Sequence, residues 1–165
     1  MCIIIVKFNK LLKIKTMKKL TLLVIFAIVA FSVNAQNTED EKEAIKKVIQ
    51  TAYVDGIQNL GDIEQIEKGF HPGFNLLGVN DKNMLTKYPI YSWLESVKKR
   101  KEKNPEGRPE EEKITCKYNS IDVTGNAAMA KIELHQKDKK LFTDYLQLYK
   151  FEEGWRIVSK IYHRH

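Results

Sequence analysis

Two hydrophobic periods divide this chain. Between Ile45 and Ile57, apolar residues recur every three or four positions (Ile45, Val48, Ile49, Ala52, Tyr53, Ile57), with polar residues between them. That spacing predicts an amphipathic helix over about Asp40 to Asn59 with one buried face. Thr38 and Glu41 have the spacing of a capping box at its start, and Leu60-Gly61 ends it. Asp62 then caps a short helix, Ile63 to Phe70, which His71-Pro72-Gly73 breaks. Phe74 to Val79 and Met84 to Tyr88 read as short strands around an Asn80-Asp81-Lys82-Asn83 turn. Ile90, Trp93, Leu94 and Val97 mark a third helix running to about Lys101. After the Pro- and Gly-containing loop from Glu102 to Glu110 the period falls to two. Strands are predicted over Ile114–Val123, Ala127–Gln136, Lys140–Glu152 and Trp155–His163, the last two joined by a three-residue Glu152-Glu153-Gly154 hairpin. Helices first and a strand meander last give an α+β fold, with helices segregated to one face of a curved, mostly antiparallel sheet.

The N-terminal segment follows a different logic. Met17-Lys18-Lys19 is a short positive stretch, Leu20 to Phe31 is almost wholly apolar, and Val33-Asn34-Ala35 presents small residues at a cleavage point. This is the layout of a secretory signal peptide cut after Ala35. The apolar run is about a dozen residues, against the roughly 20 that a membrane-spanning helix needs. Met17 is the expected initiator, with residues 1–16 ahead of it. The protein is therefore expected to be exported to the periplasm or the medium, with no membrane association after cleavage. Residues 36–165 are expected to form a single domain.

Charge changes meaning once the leader is set apart. The chain of 165 residues carries 28 Lys+Arg against 21 Asp+Glu, a net charge of +7. Six of those lysines lie in the first 35 residues, which contain no acid, so 22 basic residues face 21 acidic ones in the remainder. A nearly neutral domain gives no electrostatic reason to expect a nucleic-acid partner. Cys116 is the one cysteine beyond the leader, so no intramolecular disulfide is expected, and its strand position suits a packed thiol. No zinc-type His/Cys spacing, HExxH, GxSxG, P-loop or dinucleotide fingerprint occurs, and neither a metal nor a cofactor is expected.

The candidate chemistry is sparse. Asp144 sits in a largely apolar strand. If the hairpin pairs Phe151 with Trp155, Leu146 faces Lys160, and Asp144 becomes its diagonal neighbour on a face shared with Leu148 and Val158. Such a pair is either a structural ion pair or the polar end of a pocket. A slip of one residue in the turn would put the two charges on opposite faces. Tyr53, Trp93, Tyr118, Tyr145 and Trp155 suit either pocket walls or core packing. His71, held extended by Pro72, is a candidate general base, or else caps the carbonyls of the preceding helix or bonds to a neighbouring backbone group. Asp55-Gly56 is expected to let the first helix approach the sheet closely. His163 and His165 are expected to be exposed and frayed. Large apolar groups alternate onto both faces of the last two strands. Tyr145, Tyr149, Phe151, Trp155, Ile157 and Ile161 form one set, and Phe142, Leu146, Leu148, Val158 and Tyr162 the other. One uncovered face would favour a homodimer.

Five blocks carry a likeness to a known superfamily: Tyr53-Val54-Asp55-Gly56, Phe70-His71-Pro72-Gly73-Phe74, Ile121 to Ala128 (IDVTGNAA), Asp144 to Lys150 (DYLQLYK) and Gly154 to Lys160 (GWRIVSK). With this element order the chain resembles the nuclear transport factor 2-like superfamily, and within it the small secreted proteins of the lumazine-binding type, with the SnoaL-like cone fold. The resemblance implies a sheet curled into a cone around the first helix. It does not fix an activity, because the cone serves isomerases, dehydratases, cyclases, adaptors and non-enzymes. Three readings follow as rivals, the third of them a pure interaction module whose open sheet face makes a homodimer. The first is an exported protein that binds a small, partly apolar molecule or a partner, with Tyr53, Trp93, Asp144, Leu146, Val158 and Lys160 around the site. The second is a cofactor-free isomerase- or dehydratase-like proton-transfer enzyme using Asp144 or His71.

Overall fold

The computed structural model describes residues 38–165; the leader and its cleavage point lie outside the described residues. Helix α1 is α-helical over 38–48 and then widens into a π-helix, Ile49–Gln58. The looser turn buries Ile49, Tyr53 and Ile57 at intervals of four, with Ala52 and Gly56 beside them. Leu60 closes the helix in the left-handed region at φ 58°, and the Gly61 N–H donates to the carbonyls of Asp55 and Gly56. A Cβ on Gly61 would lie 2.6 Å from the Asp55 oxygen, so the stop requires glycine. Helix α2 (Ile63–Gly69) starts where the Asp62 side chain accepts from the Glu64 N–H. Gly56 makes its close approach to α2, not to the sheet: a Cβ there would meet Ile66 Cγ1 at 2.5 Å.

Strands β1 (Phe70–Val79) and β2 (Leu85–Pro89) pair antiparallel, and helix α3 (Ile90–Lys103) follows. Phe70 thus opens a strand instead of ending a helix. A short 3-10 turn at Glu110–Glu112 leads into β3 (Ile114–Thr124), β4 (Ala127–Gln136), β5 (Lys139–Phe151) and β6 (Gly154–Arg164). The sheet order is β2-β1-β6-β5-β4-β3, antiparallel throughout except where β1 lies parallel to β6. From Glu41 to His165 this is one compact unit. Its core joins Ile45, Ile49 and Ile57 of α1 to Ile132, Leu134, Leu146, Leu148 and Ile157 of the sheet. Asn59 ties the end of α1 to β3: its amide donates to the Ile114 carbonyl and accepts from the Ile114 N–H.

The β5–β6 hairpin corrects the predicted turn. Phe151 pairs with Gly154, not Trp155, around a two-residue Glu152-Glu153 turn. The register then shifts by one residue between Leu148↔Ile157 and Gln147↔Ser159, leaving Val158 as a β-bulge. Beyond the bulge, Leu146 faces Lys160 as expected. The turn error and the bulge cancel, and the side-chain faces change only between them. Trp155 and Ile157 accordingly point inward, at 5% and 0% exposure, and part from Tyr149 and Ile161, with which the alternation had grouped them. Tyr149 and Ile161 remain exposed there. The C-terminus is paired rather than frayed: Phe142 pairs with Arg164, and the His165 N–H donates to the Leu141 carbonyl.

Candidate functional site

Three polar side chains meet inside this apolar frame. Asp144 projects from mid-β5 and is fully buried; Lys160 projects from β6 just past the bulge and is 5% exposed. Lys160 Nζ lies 2.8 Å from Asp144 Oδ2. Tyr53, brought over them by the π-helical turn of α1, donates its hydroxyl to Asp144 Oδ2 at 2.5 Å and accepts from Lys160 Nζ. Asp144 Oδ1 has no hydrogen-bond partner among the described residues. Burial lowers the Lys160 pKa below the usual lysine value, against the pull of the Asp144 charge. Burial, with that same negative charge, raises the Tyr53 phenol well above its ordinary range.

Aromatic rings enclose the ammonium. Lys160 Nζ lies 4.7 Å from the ring centre of Tyr53, 5.2 Å from Tyr162, 5.8 Å from Trp93 and 5.9 Å from Phe142. Those distances are within cation–π range. Phe70 and Phe74 of β1 pack behind Trp93.

The cluster borders a cavity of about 270 Å³. Tyr53, Trp93 and Lys160 line it, together with Ile57, Leu76, Phe142 and Tyr162. Asp144 and Leu146 lie behind that wall, both at 0% exposure. Val158, expected as a wall, instead borders a separate depression with Met129, Gln147 and Tyr149, because the bulge turns it away. Three polar lining residues escaped the sequence reading: Gln58, Arg100 and Arg164. Phe142 and Tyr162 carried a usable signal, since in the expected register they share the parity of Asp144 and Lys160. Arg100 is half-buried; desolvation and the nearby Arg108 lower its pKa. Arg100 has no carboxylate partner among the described residues. Among the described residues the lining therefore holds three basic side chains and no acidic one.

His71 is apart from this cluster. Its ring stacks on Phe151 at 4.8 Å, and its Nδ1 accepts the Gly73 N–H at 3.0 Å. Cys116 is also unsuited to nucleophilic work, because burial pushes its thiol up to about 12. Among the described residues no group of three or more His, Cys, Asp or Glu could hold a metal ion. No described helix is long and apolar enough to cross a membrane.

Comparison with known proteins agrees with this architecture. An NTF2-like protein of unknown function from Shewanella baltica OS155 superposes with a TM-score of 0.60 at 28% identity, covering 76% of this chain and 94% of that one. Another from Silicibacter pomeroyi DSS-3 gives 0.61 at 22% identity, covering 78% and 98%. Aldolase FrzH of a Cladobotryum species is 29% identical over 121 residues, 70% of this chain and 87% of that protein. Residues 40–163 match the family described as "Putative lumazine-binding". The match spans nearly all of the described fold, and the chain belongs to this lumazine-binding-type family of the nuclear transport factor 2-like superfamily.

Proposed function

We propose that the cavity beside Lys160 binds a small, partly apolar anion. The observation carrying this reading is an aromatic-walled cavity whose charged lining residues are Arg100, Lys160 and Arg164. Aromatic and aliphatic walls suit an apolar body, and guanidinium groups that have no carboxylate partner among the described residues suit a carboxylate or similar group. The buried ion pair supports the same reading. Burying two charges rarely stabilises a fold more than apolar side chains would, so structure alone gives little reason for Asp144 and Lys160. Native mass spectrometry of protein purified from its own host tests the proposal. A retained small acid, absent from a D144L/K160M double variant that still folds, is the expected result. Empty wild-type protein that also fails to bind one-ring carboxylates by calorimetry would refute it.

A catalytic reading has one specific support, the similarity to a protein named as an aldolase. Asp144 is positioned behind Lys160 and Tyr53 for proton transfer to a bound molecule through either group. Turnover lost in D144N with binding retained would separate this reading from simple binding.

Export and self-association complete the proposal. The order of charged, apolar and small residues over 17–35 supports cleavage after Ala35, which intact-mass analysis of the exported protein tests by the presence of Gln36 at the N-terminus. Exposed Met129, Tyr149 and Ile161 support a homodimer, which sedimentation at micromolar concentration tests by a doubled mass.

A further inference from the structure

We propose that Lys160 is an amine nucleophile that condenses reversibly with the carbonyl carbon of a small oxo acid held in the cavity. The inference rests on the binding reading above and names both a substrate class and a reaction for that site.

Three features of the geometry carry it. Lys160 is nearly buried, yet it lines the cavity instead of closing into the core. Its carboxylate partner sits behind it, and Asp144 Oδ1 has no partner among the described residues, which leaves room for a proton. The Tyr53 hydroxyl touches both Lys160 Nζ and Asp144 Oδ2, and so gives protons a path between the two groups. Burial also lowers the proton affinity of Lys160, which makes the neutral amine easier to reach. Arg100 and Arg164 line the same cavity and are placed to hold the acid group of the incoming molecule.

The condensation balances within these groups. The Lys160 ammonium passes one proton to Asp144, and the freed lone pair attacks the carbonyl carbon. A C–N bond forms as the carbonyl π electrons move to oxygen. A second nitrogen proton moves through Tyr53 to that oxygen, giving a neutral carbinolamine. The nitrogen lone pair then expels the hydroxyl group, which takes the proton held by Asp144 and leaves as water. Ammonium and oxo acid become iminium and water, with no oxidant or reductant and no change of charge. The Asp144 carboxylate and the rings of Tyr53, Trp93, Phe142 and Tyr162 that hold the ammonium can hold the iminium in the same place.

Phenylpyruvate tests the proposal on the wild-type chain, with cyanoborohydride at neutral pH and peptide mapping over time. Lys160 is expected to carry the reduced adduct roughly tenfold sooner than exposed lysines, because its amine faces the bound carbonyl and burial disfavours its charged form. Phenyllactate, with the same ring and carboxylate but a hydroxyl in place of the carbonyl, should bind by calorimetry and suppress that labelling. Lys160→Arg, which keeps the charge but removes the nucleophilic amine, should lose the adduct. A lysine locked in a structural ion pair would be labelled last. If Lys160 is labelled no faster than exposed lysines while phenyllactate still binds, the imine proposal falls and the binding reading stands. If neither compound engages the protein, both fall.

Discussion

Helix α1 is tied to the β5–β6 hairpin at two places, by similar groups in different surroundings. Near its start, Glu41 accepts from Lys150 Nζ and from the Trp155 indole, each at 2.6 Å, in a cluster that is open to water on its Lys150 side. Near its end, Tyr53 bridges Asp144 and Lys160 where water hardly reaches. Each cluster joins one carboxylate, one ammonium and one aromatic donor. The outer one needs no explanation beyond fastening: solvated ion pairs add little, and screening weakens them further. The inner one is costly to assemble and opens onto a cavity, and on that difference the proposed ligand site rests.

The largest expected effect comes from breaking the inner pair on one side. Lys160→Met leaves a buried carboxylate without its counter-ion and should lose about 3–5 kcal/mol in a urea melt. Asp144→Leu should do the same from the other side. The double variant should regain most of that loss, since apolar side chains of similar volume replace a buried pair at little cost, and it should no longer bind. A double variant as unstable as either single one would mean that the cluster belongs to the fold.

Tyr53→Phe is expected to lose about 1–3 kcal/mol at neutral pH, since it removes a donor to Asp144 and an acceptor for Lys160. Its pH dependence is more telling. Burial raises the phenol's pKa above the ordinary 10.0. Above that pH the unfolded chain has released the Tyr53 proton while the folded chain retains it, so stability falls as pH rises. Tyr53→Phe should remove this contribution, giving a shallower alkaline limb in melts from neutral pH upward.

Glu41→Gln should show the smallest effect, about 1 kcal/mol or less, diminishing with salt. Its hydrogen bonds to Lys150 and Trp155 hold the Glu41 carboxyl below the usual value of 4.5. Their contribution is therefore present above that value and lost as pH falls through the lower folded pKa. A larger loss at neutral pH than that of Lys160→Met would reverse the comparison.

How far the sequence revealed this follows from the range over which each pattern acts. The helices and the long strands are local, and their periods place them within a few residues. The Asp144–Lys160 juxtaposition was reached through two departures that cancel: the expected turn is one residue too long, and the bulge at Val158 restores the parity that puts both residues on one face. The bulge was not readable. Trp155, Ile157 and Val158 alternate without any mark of an extra residue, and only the paired strand shows that Val158 has no partner. Arg100 escaped because an exposed-looking cation in a charged helix reads as solvated until another element comes up beside it, and Arg164, exposed at the end of β6, carries no pattern that points to a cavity. The π-helical turn that delivers Tyr53 was likewise hidden, since a spacing of four suits either helix type.

The bulge also separates the size of the cavity from its chemistry. Ile157 and Ser159 already pair with adjacent residues of β5, so removing Val158 would leave every cross-strand partner in place and Lys160 still opposite Leu146. What would change is curvature, because the extra residue bends its strand and increases the local twist. The dimensions of the cavity can therefore be reset by one residue of main chain, without altering any of the polar groups that line it.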